Sequence, residues 1–234
     1  MFAYLNQHPQ MKLPDVKEIH FFDLNYSNGL DWYTSHFPPA SLSHRMVTGE
    51  ASPYYLFHPH VPERVRLHCP DVNILVMLRN PADRAYSHYM MQKRRQFDKS
   101  GSFEEAISLE DERLGGELEK IVQDPTYNST NHQRLSYLAR GFYFQQISRW
   151  LRFFRMDQCL FIRSENFFTH PEDELVKVYQ FLKITEDLPS NLSPENTNKY
   201  PPMAEETRKR LTRYFEEDSR KLSELLGSGF RWND

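Results

Sequence analysis

The stretch KEIHFFD, Lys17 to Asp23, crowds two acids, a histidine and a lysine around Ile19, Phe21 and Phe22. Surface polarity does not need apolar anchors so close together, and a core does not tolerate four ionisable groups without partners. A carboxylate and an imidazole held rigidly at the mouth of a core are groups that move protons. The competing reading is a surface strand with an incidental Lys17–Glu18 pair. A second constellation lies in LVMLRNPADRAYSHY, where an apolar run ends at Arg79, Pro81 opens a helix, and Ser87 follows eight residues after the arginine. An arginine beside a helix N-terminus, at the carboxyl end of a strand, suits an anion. Arg79 capping a neighbouring helix, or pairing with an acid, fits the sequence equally well.

Positioning those groups falls to short β-rich runs that alternate with longer helical patterns, the signature of a parallel sheet with covering helices. Asn73 to Arg79 (NILVMLR) is the clearest strand, a continuous apolar run of the kind buried on both faces. Cys159 to Ser164 (CLFIRS) is a second, and Met46 to Glu50 (MVTGE) a shorter third. Pro81 begins a helix where a missing N–H costs nothing, and the pattern carries that helix to Phe97. Ser102-Phe103-Glu104-Glu105 is a capping-box signature. Phe142, Ile147, Leu151 and Phe154 fall on one stripe, and Pro171 with Glu172, Asp173 and Glu174 opens a helix with acids at its positive end. Thr207 to Leu226 reads as one long amphipathic helix. Asp124 to His132 and Leu188 to Met203 read as loops long enough to be functional.

At 234 residues, 39% hydrophobic and 26% charged, the chain has room for one domain with a substantial core. A formal net charge of −3 argues against a nucleic-acid binder running on bulk electrostatics. Lys93-Arg94-Arg95 and Arg208-Lys209-Arg210 read as solvated helix faces. Cys69 and Cys159 are too few and too isolated for a disulfide framework or a zinc site, which predicts a reducing compartment and no metal. No apolar run reaches the roughly 18 residues that span a bilayer, and no signal peptide opens the chain. The expectation is a cytoplasmic protein without a membrane span.

Five motifs in one order, KEIHFFD, YSNGLDWY, GEASPYYL, LRNPADRAYSHY and KYPPM ahead of a helix, resemble the sulfotransferases that use 3′-phosphoadenosine 5′-phosphosulfate (PAPS). The resemblance is greatest to the branch holding the heparan sulfate N- and 3-O-sulfotransferases and their bacterial relatives, and it covers nearly the whole chain. It implies an α/β, P-loop-like three-layer fold with a central parallel sheet covered by helices, as a single domain over residues 1–234. It also implies PAPS as cofactor, 3′-phosphoadenosine 5′-phosphate (PAP) as product, and sulfuryl transfer to a hydroxyl or amine of an acceptor, a carbohydrate or a small molecule. Residue by residue, Glu18 falls on the general base, and His20 and Asp23 fall on positions that support it or contact the acceptor. Apolar neighbours of Glu18 would lift its pKa toward that task. Arg79 and Ser87 fall on the pair that holds the 3′-phosphate. Lys199 and Tyr200 match the end of a loop that closes over the cofactor. Arg140, in LARGFY, is a further candidate for the phosphate end.

The chain also departs from the pattern. The heparan enzymes carry a lysine where this chain has Ala51, which removes one cation from the implied site. Asn196-Thr197-Asn198 stands where a basic run would precede KYPPM, so a heavily sulfated polymer fits less well as acceptor. Family members begin with a strand and a Lys-x-Gly-Thr-Thr type loop around the 5′-phosphosulfate, and MFAYLNQHPQ matches the helix that follows it. The expectation is a chain that lacks that first strand and loop. The alternative from another class is a non-catalytic homologue that binds a nucleotide or a partner. A P-loop kinase relative ranks last, because no GxxxxGK[ST] loop occurs.

Overall fold

The computed structural model describes residues 1–39, 46–192 and 200–232. The chain divides into two compact units, the first made of Met1–Val76 and Phe154–Thr197, the second of Met77–Phe153 and Asn198–Asp234. Two of the predicted apolar runs form strands, Ile74–Leu78 and Cys159–Arg163, which pair in a two-stranded sheet. Burial in the first strand alternates: Val76 and Leu78 are buried, whereas Ile74, Leu75 and Met77 are half-buried. The third expected strand, Met46 to Glu50, shrinks to one parallel bridge between Val47 and Met11. Beyond Val47 the chain turns, and Glu50 and Ser52 enter side-chain hydrogen bonds instead of a ladder. In the same unit the Pro171–Leu182 helix forms as its sequence predicts, burying Leu175, Val178 and Tyr179.

In the second unit the Pro81–Arg94 helix is capped by Asn80, whose Oδ1 accepts the N–H groups of Ala82 and Asp83 at 3.0 and 3.4 Å. It stops short of Phe97 because Gln96 turns to φ +61°. Ser102 caps its helix by accepting the Glu105 N–H at 3.1 Å, but the Glu105 carboxylate takes the N–H of Gly101, so only half of the capping box forms. Part of the predicted 124–132 loop is helical, since Ser129 caps a turn over Thr130–Arg134. The Tyr143–Trp150 helix buries Tyr143, Gln146, Ile147 and Trp150, a stripe rotated from the predicted one. Gln146 belongs on it because its amide donates to the carbonyls of Arg140 and Phe142 at 3.0 and 2.9 Å.

The predicted C-terminal helix is two helices, Glu205–Tyr214 and Glu216–Leu226, broken at Phe215. The Phe215 ring is 1% exposed and joins Ala82, Ala85, Tyr89, Phe103, Tyr137 and Leu211 in the core of this unit. It fills the space above Gly141 so closely that an added Cβ would lie 2.6 Å from the ring and 3.2 Å from Pro81. Gly141→Ala is therefore expected to destabilise the protein by about 1–3 kcal/mol through overpacking. Thermal unfolding measures it, and an unchanged midpoint would mean that the ring turns aside freely. No helix among the described residues is long and apolar enough to cross a membrane.

Candidate active site

Ile19, Phe21 and Phe22 are buried, which seats KEIHFFD in the core of the first unit as predicted. Phe21 stacks on Tyr33 with ring centroids 4.4 Å apart, and Phe22 meets Tyr33 and Tyr55 edge-on. The segment is a tight turn, not a strand: the N–H groups of Leu24 and Asn25 both return to the His20 carbonyl, at 3.1 and 2.9 Å. Glu18 and His20 stand in the left-handed region, at φ +61° and +54°, where a side chain strains the backbone. The Asn25 amide holds the Ile19 carbonyl at 3.0 Å, and the Arg64 guanidinium donates to the Phe22 carbonyl at 2.8 Å.

This turn brings the three predicted catalytic residues into one row. His20 Nδ1 lies 2.8 Å from Asp23 Oδ2, and its Nε2 lies 3.6 Å from Glu18 Oε2. The Asp23 side chain is fully buried, and its other oxygen accepts the Leu24 N–H at 2.7 Å. Glu18 differs from expectation. Its side chain is 43% exposed, so the apolar enclosure read from its neighbours is absent, and an imidazole stands beside it instead.

Burial alone would lower the His20 pKa, but the hydrogen bonds to Asp23 and then Glu18, with their charges, raise it to about 9. His20 is thus an imidazolium at neutral pH, held between two carboxylates. An NMR titration is expected to place its midpoint near 9, and Asp23→Asn to lower it. Because the folded value lies above the unfolded 6.5, this pairing stabilises the fold fully below about pH 6.5 and is lost as pH rises through about 9. A midpoint at 6.5 would show that the ring is not gripped.

The sequence reading used GEASPYYL only as a marker of resemblance, and it missed what Glu50 does. Glu50 Oε2 accepts the Ser52 hydroxyl and Oε1 the Tyr55 hydroxyl, each at 2.8 Å. Those same oxygens of Ser52 and Tyr55 accept backbone N–H groups of His20 and Phe22, at 3.1 and 3.2 Å. Burial raises the Glu50 pKa, against the hydrogen bonds of Tyr55, Ser52 and Tyr33. The available signal was the spacing Glu50-x-Ser52-x-x-Tyr55, three hydrogen-bonding side chains in one short turn.

The second unit holds the residues predicted for the cofactor. Arg79 directly follows its strand and is half-buried; its carbonyl accepts the Tyr143 hydroxyl at 3.0 Å. Its guanidinium makes no hydrogen bond or ion pair among the described residues, so neither the capping role nor the acid partner is present. Ser87 is half-buried two turns into the following helix. Sequence reasoning passed over Arg84, three residues before Ser87 and so on the same helix face. Arg84 donates to the Tyr137 carbonyl, yet its buried Nε has no partner among the described residues. Burial lowers the Arg84 pKa and the nearby Arg79 charge lowers it further. Burial, with the charges of Arg140, Arg84 and Arg95, keeps His88 neutral. The result is a cluster of positive charge at the start of the Pro81–Arg94 helix.

Arg140 contributes to that field, but its Nη2 donates to the Gln133 carbonyl at 2.7 Å, so part of its fork is already engaged. Tyr200 packs edge-on against Tyr86 with centroids 5.6 Å apart, and the Tyr86 hydroxyl donates to the Pro201 carbonyl at 2.9 Å. This sets Tyr200 and Pro201 against the helix that carries Ser87. Lys199 lies outside the described residues.

The family described as the sulfotransferase domain matches residues 2–224. A membrane-associated sulfotransferase, kil1, of Dictyostelium discoideum is 26% identical, covering 99% of this chain and 63% of its own length. Mouse heparan sulfate glucosamine 3-O-sulfotransferase 5 is 29% identical, over 84% of this chain and 51% of its own. The chain thus spans about half to two thirds of these curated relatives. The crystal structure of a sulfotransferase from Alicyclobacillus acidocaldarius superposes with a TM-score of 0.77 at 30% identity, over 98% of this chain and 92% of that one. Matched across almost its full length in sequence and in an α/β, P-loop-like fold, the chain belongs to the sulfotransferase family.

Proposed function

We propose that this protein takes the sulfuryl group of PAPS and passes it to a hydroxyl or amine of an acceptor, a carbohydrate or a small molecule. The observation that carries the reading is the Glu18–His20–Asp23 row, in which a buried acid fixes an imidazolium against a half-exposed carboxylate. Glu18 removes the proton from the acceptor O–H or N–H. The freed electron pair attacks sulfur, the bond from sulfur to the 5′-phosphate oxygen breaks, and PAP leaves with that pair. Such a displacement asks the protein mainly to position the partners and to stabilise negative charge as it spreads. His20, charged and anchored by Asp23, stands beside the Glu18 carboxylate and offers a cation near the reacting centre in a chain that has Ala51 where the heparan enzymes have lysine.

In this reading PAPS supplies the activated sulfuryl group. Arg79 and Ser87 take its 3′-phosphate, the arginine as a charged fork and the serine as a short donor. The unengaged Arg79 guanidinium and the unpartnered Arg84 Nε support an anion there. Tyr200 and Lys199 belong to the segment that covers the cofactor, and Arg140 adds charge at the phosphate end. A relative whose name specifies heparan sulfate glucosamine makes a carbohydrate hydroxyl the first acceptor to try. Calorimetry with PAP, ATP and adenosine 5′-phosphate, together with transfer of labelled sulfate from PAPS to a panel of saccharides and small alcohols and amines, tests the proposal. In protein that also carries the 5′-phosphosulfate loop, PAP should bind best and label should appear on an acceptor. Preference for ATP, or binding without transfer to any acceptor, would overturn it.

A further inference from the structure

We propose that Glu50 is a positioning residue for the transfer: through the Ser52 and Tyr55 hydroxyls it holds the turn that carries Glu18 and His20, and so sets where the Glu18 carboxylate points. This deepens the function proposed above and rests on Glu18 being the base. The argument starts from the backbone. Two residues with side chains, Glu18 and His20, occupy left-handed conformations on either side of Ile19. Such a conformation persists only where the surroundings over-determine it. Ile19, Phe21 and Phe22 anchor the turn by burial, but burial does not choose between one backbone twist and another.

Directional bonds make that choice, and they converge on Glu50. A hydroxyl has one proton and two acceptor positions. Ser52 commits its proton to Glu50 Oε2 and Tyr55 commits its proton to Oε1, both at 2.8 Å. With the protons fixed, the remaining lone pairs are available to the N–H of His20, 3.1 Å from Ser52 Oγ, and of Phe22, 3.2 Å from the Tyr55 oxygen. Without the carboxylate both rotors would be free to turn, and their lone pairs would lose that aim. Tyr33 faces the same carboxylate, and its ring stacks on Phe21 at 4.4 Å. Three consecutive residues, 20 to 22, are thus gripped through side chains that all refer back to one acid. The carboxylate form is required, because a protonated Glu50 would carry a donor and give up part of its acceptor capacity. Asp23, Tyr33, Tyr55 and Cys69 are the titratable groups that face it. In this proposal Glu50 acts on the reaction through the turn, by way of the hydroxyls that its two oxygens accept.

The test compares Glu50→Gln, Ser52→Ala, Ser52→Thr and Tyr55→Phe with the unaltered chain. Three readouts are taken: the His20 titration by NMR, kcat and KM for the acceptor, and PAP affinity. Ser52→Ala and Glu50→Gln are expected to bring the His20 midpoint down from about 9 toward 6.5, because the ring no longer sits squarely between Asp23 and Glu18. They should lower kcat by about tenfold or more, as misplacing a catalytic group does, with PAP affinity and acceptor KM little changed. Ser52→Thr keeps a hydroxyl and should retain both midpoint and rate, whereas Tyr55→Phe, which spares the His20 N–H, should lose less. If Glu50→Gln fails to fold, the Ser52→Ala and Ser52→Thr pair decides alone. With an active unaltered chain, a His20 midpoint that stays near 9 in Ser52→Ala, or a midpoint that falls while kcat holds, overturns the positioning role only. Unaltered protein that also carries the 5′-phosphosulfate loop and transfers no sulfuryl group overturns the proposed function itself.

Discussion

In an enzyme that carries the 5′-phosphosulfate loop, Glu18→Gln is expected to lower the rate of sulfuryl transfer by about 10²-fold or more. The amide keeps the size and position of the side chain beside His20 Nε2, so the turn and the approach of the acceptor stay as they are. What it cannot do is take a proton. The loss should therefore fall on kcat, with PAP affinity hardly changed, because the residues proposed for the 3′-phosphate are elsewhere in the chain. His20 is a poor substitute as base: with its pKa raised to about 9, it already carries its proton at neutral pH. Full activity in the Gln variant would remove Glu18 from the mechanism and leave His20, whose pKa falls once the Glu18 charge is gone, as the next candidate.

Arg79→Ala is expected to weaken PAP binding by about tenfold to a hundredfold, since a charge-assisted hydrogen bond contributes roughly 1.5–3 kcal/mol. The structure sharpens this expectation. The guanidinium makes no hydrogen bond or ion pair among the described residues, so truncation breaks no such bond and the loss reports on the ligand. Ser87→Ala should cost less, and adenosine 5′-phosphate, which lacks the 3′ group, should be indifferent to both. Calorimetry with the two nucleotides separates the outcomes: equal losses for both would mean that Arg79 is structural.

Much of this was legible from residue type alone. Prolines at 81 and 171, the Ser102 cap and the apolar anchors of KEIHFFD each act over a few residues, where local chemistry decides. The failures share a cause, which is competition from distant parts of the chain. Leu211, Phe215 and Leu222 continue an apolar pattern through a real break, because the Phe215 ring is held over Gly141 by the core and not by its own helix. Met46 to Glu50 has strand-like residues, but its acid is taken by hydroxyls further on. The left-handed turn had no glycine to announce it. Glu18 looked enclosed because its neighbour in sequence is apolar, yet the backbone twist leaves it half in water. Arg140 was placed by resemblance at the phosphate end, where its link to Gln133 could not be read from sequence.

The left-handed backbone at Glu18 and His20 also bears on the history of the chain. Each side chain there costs on the order of 1 kcal/mol relative to glycine. Random substitution filtered by stability alone would favour glycine or asparagine at both positions, while keeping Ile19, Phe21 and Phe22 for the core. A lineage that had stopped transferring sulfate and survived as a binding module would be expected to drift that way, and to gain stability in doing so. This chain has glutamate and histidine at both strained positions, with the Asp23 partner buried behind them. Such a combination is disfavoured by stability alone, and it is the one that the proposed chemistry of the row would require.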